Sequence, residues 1–257
     1  MTQRIKLAQD YLPWGVRVAA GRVAGQSHNH KFGYNAAAGT ADTVWLQDGA
    51  YTWQAAAAVL DITSTDNVED IAAGDGALTV TIEGLDADFA EISSTVTMTG
   101  QTAVLTTGKS FLRVNRMYVA TAGVDGFNAG IIYASTGTQT TGTPTVASTI
   151  RATIGAGLGQ TQQAFYTVPA GKQAFVQSIT YTSTHVSASC TFDFLIREAG
   201  STVWLNKGRT LVLQGTHVAK PDVPQTFAAG TDIEIQGTAS TSTVPATAEL
   251  DILLLDV

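Results

Sequence analysis

Nine stretches of this chain alternate or run apolar over strand-like lengths between Gly, Thr, Ser, Asn and Asp turns, and no other feature restricts the fold as much. They are ALTVTIEGL, SSTVTMTGQTAVLT, SFLRVNRMYVA, NAGIIYAS, QAFYTVPAG, QAFVQSITYTST, CTFDFLIREAG, TDIEIQG and TAELDILLLDV. Val, Ile, Thr and Phe dominate them, as a pleated, half-buried surface prefers. Segments recurring roughly every ten residues predict an all-β protein of antiparallel β-sandwiches, jelly-roll or Greek-key in type. Helical signals are thin. TWQAAAAVLDI has helix formers at Ala55 to Ala58 but is flanked by aromatic and β-branched residues, and the N-terminus has room for one turn.

The composition shifts once. Ser135 to Gln163 is rich in Thr, Gly and Ser with few large side chains, and reads as a long connection between two β-rich blocks. The organisation expected is an extended N-terminal arm (1–33), a first sandwich (34–148) and a second (149–257). In the second block TVPAG (Thr167 to Gly171) and FAAGTDIEI (Phe227 to Ile235) each deliver the chain into a strand through a Gly turn, which predicts paired sandwich edges.

Only 14% of the 257 residues are charged, against about 25% in an ordinary soluble domain. Such a surface is covered by Thr, Ser, Gln, Asn and Gly, or lies against other subunits, which suits a component of a particle. The net charge of −7 is uneven: Arg4, Lys6, Arg17, Arg22 and Lys31 oppose only Asp10 in residues 1–33. A mildly basic arm with apolar anchors at Tyr11, Leu12, Trp14 and Val16 is equipped to dock on an acidic neighbour, another copy of the chain included. The anchoring residues expected are Tyr11, Trp14, Arg17 and Arg22. Spread cations on an acidic body argue against nucleic acid. No stretch approaches the ~20 apolar residues of a membrane span, and the N-terminus has no signal-peptide core. Cys190, the single cysteine, allows no intrachain disulfide.

The chemistry-bearing candidates are few. IEGLDADFAEISSTVTMTG (Ile82 to Gly100) holds Glu83, Asp86, Asp88 and Glu91. Asp86 and Asp88 are a weak calcium candidate, but the loop lacks the D-x-D-x-D-G ligand spacing, and a turn capped by Asp side chains is the simpler reading. His28 and His30 would share one face of a strand, with no third zinc ligand visible. His185 and His217 have no neighbouring nucleophile or orienting acid. Trp45, Tyr51 and Trp53 in TVWLQDGAYTW offer a sugar-stacking platform if exposed, and core or subunit contacts if not. No nucleophile elbow, P-loop or dinucleotide fingerprint occurs, so no enzyme activity, cofactor or metal is expected.

The order GQSHNHKFGYN, TVWLQDGAYTW, GDGALTVTIEGLDADFAEISSTVTMTGQTAV, SFLRVNRMYVATAG and NAGIIYA resembles a family of structural proteins of tailed bacteriophages, of the kind frequent in marine phages. TVPAG and AGTDIEI resemble the family's C-terminal half, so the likeness runs over almost the whole chain. Ser94 stands where the family usually has Glu, and Asp88 where it has Asn. The resemblance implies a non-enzymatic virion component assembled in the host cytoplasm. A capsid decoration or cement protein, homo-oligomeric as a trimer or pentamer and bound to the major capsid protein or other virion proteins, is the expected role. The alternative is a tail or head-fibre appendage that binds host glycans.

Overall fold

A computed structural model of the chain describes residues 12–257. After a six-residue helix, α1 (Trp14–Ala19), come β1 (Gln26–Ala38), β2 (Asp42–Thr43), β3 (Asp61–Ser64), β4 (Ala77–Leu85), β5 (Glu91–Thr97) and β6 (Val104–Leu105). Then follow β7 (Arg113–Ala122), β8 (Ile132–Ser135), β9 (Gln139–Thr140), β10 (Thr143–Pro144), β11 (Ile150–Ile154) and β12 (Phe165–Thr167). The chain ends with β13 (Lys172–Ser183), β14 (Cys190–Arg197), β15 (Leu205–Val212), β16 (Gly215–Ala219), β17 (Gln225–Phe227), β18 (Asp232–Ala239) and β19 (Val244–Asp256). The protein is all-β, and the strands named here pair antiparallel.

Two sheets face each other. One runs β1-β19-β13-β16 with β17 beside β13; the other runs β12-β18-β14-β15 with β2 beside β18. β14 alternates buried and half-buried along its whole length, and its buried Phe192 stacks across the gap on Tyr181 of β13 at 5.1 Å. Ala246, Ala248, Leu250 and Ile252 of β19 fill the same core. Cys190 lies within it, and burial pushes its thiol up to about 11.

β3 to β11 form a second unit with its own core, built on the sheets β11-β8-β3-β6 and β5-β4-β7. Leu60, Ile62, Ile82, Met98, Phe111 and Met117 are fully buried there. This unit is inserted between β2 and β12 of the sheet pair, so the two β units are not the tandem blocks that composition implied. The expected arm border at residue 33 falls inside β1, whose whole length lies against β19, with His30 opposite Asp251 and Lys31 opposite Leu250. The expected linker Ser135 to Gln163 contains the β9–β10 hairpin and β11, every residue of which is buried against β8 or the unit's core. Small side chains mark close packing here rather than a free connection. Ala55 to Ala58 form no helix; Ala58 exchanges two backbone hydrogen bonds with Phe111 instead.

The two Gly turns meet as the sequence implied. Gly230 N–H donates to Val168 O and Val168 N–H to Thr231 O, with Gly171 and Gly230 both at positive φ. Gly33 is another fixed position, because a Cβ there would stand 2.0 Å from Val44 O and 2.4 Å from Ala164 N. Both are backbone atoms, so neither yields as a side chain does. Gly33→Ala is expected to cost about 3 kcal/mol or more, the upper end of overpacking penalties; a chemical-denaturation midpoint within error of the parent protein's would refute it.

Candidate functional site

A groove of about 690 Å3 opens where the inserted unit meets β1. One wall is the segment His28 to Phe32; the other is the polar face of the β5-β4-β7 sheet. Strand parity explains the chemistry of both. On β1, His28 and His30 face solvent while Lys31, Gly33 and Asn35 are buried. Across β5, β4 and β7 the register sets Ser93, Glu83 and Arg116 side by side.

Lys31 is 6% exposed and lies at the floor, where its ammonium donates to the Asn115 carbonyl. Burial pushes its pKa down to about 7, the Arg116 charge adds to that, and Glu83 pulls it partly back. Arg116 donates to Gln160 Oε1 at 3.0 Å and lies 4.5 Å above the Tyr118 ring, whose hydroxyl donates to Glu83 Oε1 at 3.3 Å. At the rim His30 Nδ1 is 3.0 Å and His28 Nε2 3.4 Å from the same oxygen of Asp251, whose other oxygen accepts from Ser178. Burial raises the Asp251 pKa, but the His30 and Ser178 hydrogen bonds and the two imidazoles outweigh it, so the net shift is downward. Asp251 comes from the far end of the chain through the β1–β19 pairing and meets the two histidines as a hydrogen-bonding partner, not as a third metal ligand. Among the described residues no group of three or more His, Cys, Asp or Glu has metal-holding geometry.

Below the groove the two units are joined by buried charge. Arg113 of β7 grips both oxygens of Asp232 at 2.8 and 3.0 Å, and Arg197 of β14 holds Oδ2 at 2.6 and 3.1 Å. Thr167 donates to Oδ1 at 2.5 Å. Both guanidiniums lie over the Trp53 ring, at 5.1 and 5.4 Å. Glu234 is buried beside them; burial raises its pKa, and hydrogen bonds from Thr43, Gln236 and Trp53 oppose the shift.

The aromatic trio lies in this joint. Trp45 and Tyr51 are 3% and 6% exposed and Trp53 is half-buried. Their rings pack on one another and on Phe165 at centroid distances of 4.2–6.0 Å. The faces a sugar would stack on are occupied, so the three form no exposed platform; they join two cores. Asp86 caps the corner: its Oδ1 accepts from the N–H groups of Asp88 and Ala90, while Asp88 is exposed. Phe89 follows at φ 60°, and its carbonyl accepts the Ala170 N–H, so the corner docks the inserted unit on the TVPAG turn. His185 Nδ1 accepts from Ser187 and Ala188 N–H as a turn cap, and His217 is exposed on β16.

Of the arm anchors, Trp14 is 47% exposed and donates to Gln26 Oε1, Arg17 lies half-buried on α1 and Arg22 is exposed. Tyr11 lies outside the described residues. Nothing local in the sequence marks Lys31 and Arg116 as site residues, although both stand in patterned stretches, KFGYN and RVNR. The only signal was Lys31 at an inward parity of a strand, and it becomes visible once His28 and His30 are fixed as outward.

No family model matches this chain, and no curated protein matches it. Two solved structures of infectious bursal disease virus align weakly. The Gt strain shares 7% identity over 95% of this chain and 78% of the other, at a TM-score of 0.20. The Gx strain shares 11% over 89% and 75%, at 0.19. Likeness at that level carries no argument about fold or role.

Proposed function

We propose that this chain is a non-enzymatic structural component of a phage virion, a capsid decoration or cement protein that stabilises a shell through subunit contacts. The strand path carries the reading. Counting only the eight principal strands of the sheet pair, one sheet runs first-eighth-third-sixth and the other second-seventh-fourth-fifth. That is the path of a jelly roll, an architecture that recurs in viral capsids and in lectins, here with the second β unit inserted in its first connection. A second sandwich clamped to it by a buried ion-pair cluster makes a rigid block suited to repetition on a symmetric lattice. The virion resemblance of the sequence points the same way, and many copies would turn modest contacts into firm attachment.

On this reading the N-terminal segment, with Trp14, Arg17 and Arg22, anchors the block to the particle. β1 belongs to the sheet, so the segment to remove ends before Gln26. Deleting residues 1–22 removes all of these anchors and also Val18, which is buried on α1, so a stability loss of about 1.5–3 kcal/mol is expected, together with loss of binding to particles stripped of the native protein. Undiminished particle binding would sink the anchoring role. Gold-labelled antibody scattered over the heads of intact particles would support decoration, whereas label confined to tail tips would favour the glycan-binding appendage. That alternative needs a surface other than Trp45, Tyr51 and Trp53.

A further inference from the structure

We infer that the groove between β1 and the β5-β4-β7 sheet is a binding site for a neutral oligosaccharide. The inference concerns the isolated chain and holds wherever on a particle the protein sits. A recess of about 690 Å3 is in the size range of small-ligand sites. Its polar groups are of both signs and underused. Arg116, Lys31, Glu83 and Glu91 form no ion pair among the described residues. Below about pH 7, where Lys31 is protonated, it commits one N–H to Asn115 and retains two donors, and Glu83 has one oxygen beyond the Tyr118 hydroxyl.

The mixture of signs selects the ligand by elimination. A polyanion would meet Glu83 and Glu91, and a polycation would meet Arg116 and Lys31. An apolar ligand would strip water from all four without replacing its hydrogen bonds. Vicinal hydroxyls do both jobs: they donate to the carboxylates and accept from the guanidinium and ammonium, and such charge-assisted bonds are the strong class. Phe32, half-buried on the β1 wall, offers an apolar face for the C–H side of a pyranose ring. The two walls come from different units, so the clamp at Asp232 also fixes the width of the groove.

The test is a nitrogen-15 NMR titration of the full chain at pH 6 with neutral hexasaccharides of glucose, mannose, galactose and N-acetylglucosamine at millimolar concentration, and with oligogalacturonate and chitosan oligomers as charged comparators. At least one neutral hexasaccharide is expected to shift the amides of His28 to Phe32, Glu83 to Leu85 and Arg116, with the charged oligomers weaker. Arg116→Ala and Glu83→Gln, at exposed or half-exposed positions, should each weaken binding about ten-fold, the loss of one charge-assisted bond, with melting temperature unchanged. Shifts elsewhere on the molecule, tighter binding of a charged oligomer, silence from all four neutral probes, or unaltered affinity in both variants would each overturn the assignment.

Discussion

Asp232→Ala is expected to destabilise the protein by about 3–5 kcal/mol, the range for removing one partner of a buried ion cluster. The carboxylate holds two guanidiniums, Arg113 at 8% and Arg197 at 19% side-chain exposure, and is itself 3% exposed. Without it Arg113 stays buried with its charge unanswered, since its other hydrogen bonds go to the carbonyls of Gln54 and Leu112. The two arginines come from different units, so the loss falls on their junction: Trp53, Tyr51 and Phe165 should loosen together. Urea titration at neutral pH, followed by Trp fluorescence, measures this. A double-mutant cycle of Asp232→Ala with Arg113→Met should give a coupling energy of at least about 1 kcal/mol for residues in one network. A cost below about 1 kcal/mol for Asp232→Ala would show that the cluster does not hold the units together.

Stability is expected to rise with pH between about 7 and 9, which is unusual for an acidic protein. Lys31 has its folded pKa lowered from 10.5 to about 7 by burial, while the unfolded chain retains the ordinary value. Across that window the unfolded state binds the proton and the folded state does not, so unfolding becomes harder as pH rises. The penalty is fully present below pH 7 and relieved as the unfolded pKa is approached, to a ceiling of roughly 5 kcal/mol at 1.36 kcal/mol per unit. Opposing groups act at higher pH. The Cys190 thiol is raised to about 11 and Tyr51 to about 12, with Tyr166 and Tyr181 also raised, all by burial first. Their folded pKa values exceed the unfolded ones, so the stability they contribute is present at lower pH and lost above about 9–10. The maximum should therefore lie near pH 9. Lys31→Met should flatten the rise between pH 7 and 9; a parent protein whose urea midpoint is level or falling over that range would refute the buried, depressed lysine.

The alternation of TDIEIQG and CTFDFLIREAG made them legible as strands, because a period of two is written in consecutive residues. The same alternation misled about faces: Asp232 and Glu234 share the side of β18 that a free sandwich would turn to water. The inserted unit covers that side, so all four residues from Asp232 to Ile235 are buried. The Thr- and Gly-rich run before Phe165 read as a linker, yet it supplies Ala152 and Ile154 to a core, since small residues fill tight space as readily as they make loose chain. β1 does not read as a strand in the sequence because its apolar residues are sparse; it is held in place by Leu250 to Leu255, at the other end of the chain.

Local periodicity and turn chemistry, then, determined that this protein is all-β, where most strands lie, and that Asp86 and the two Gly turns make corners. Only the tertiary structure decided which strands are neighbours, that one unit is inserted in the other, and that Lys31, Glu83 and Arg116 share a groove. Those outcomes depend on pairings such as His30 with Asp251, fixed by a hydrogen-bond register and a buried face that separate stretches of chain create only on meeting.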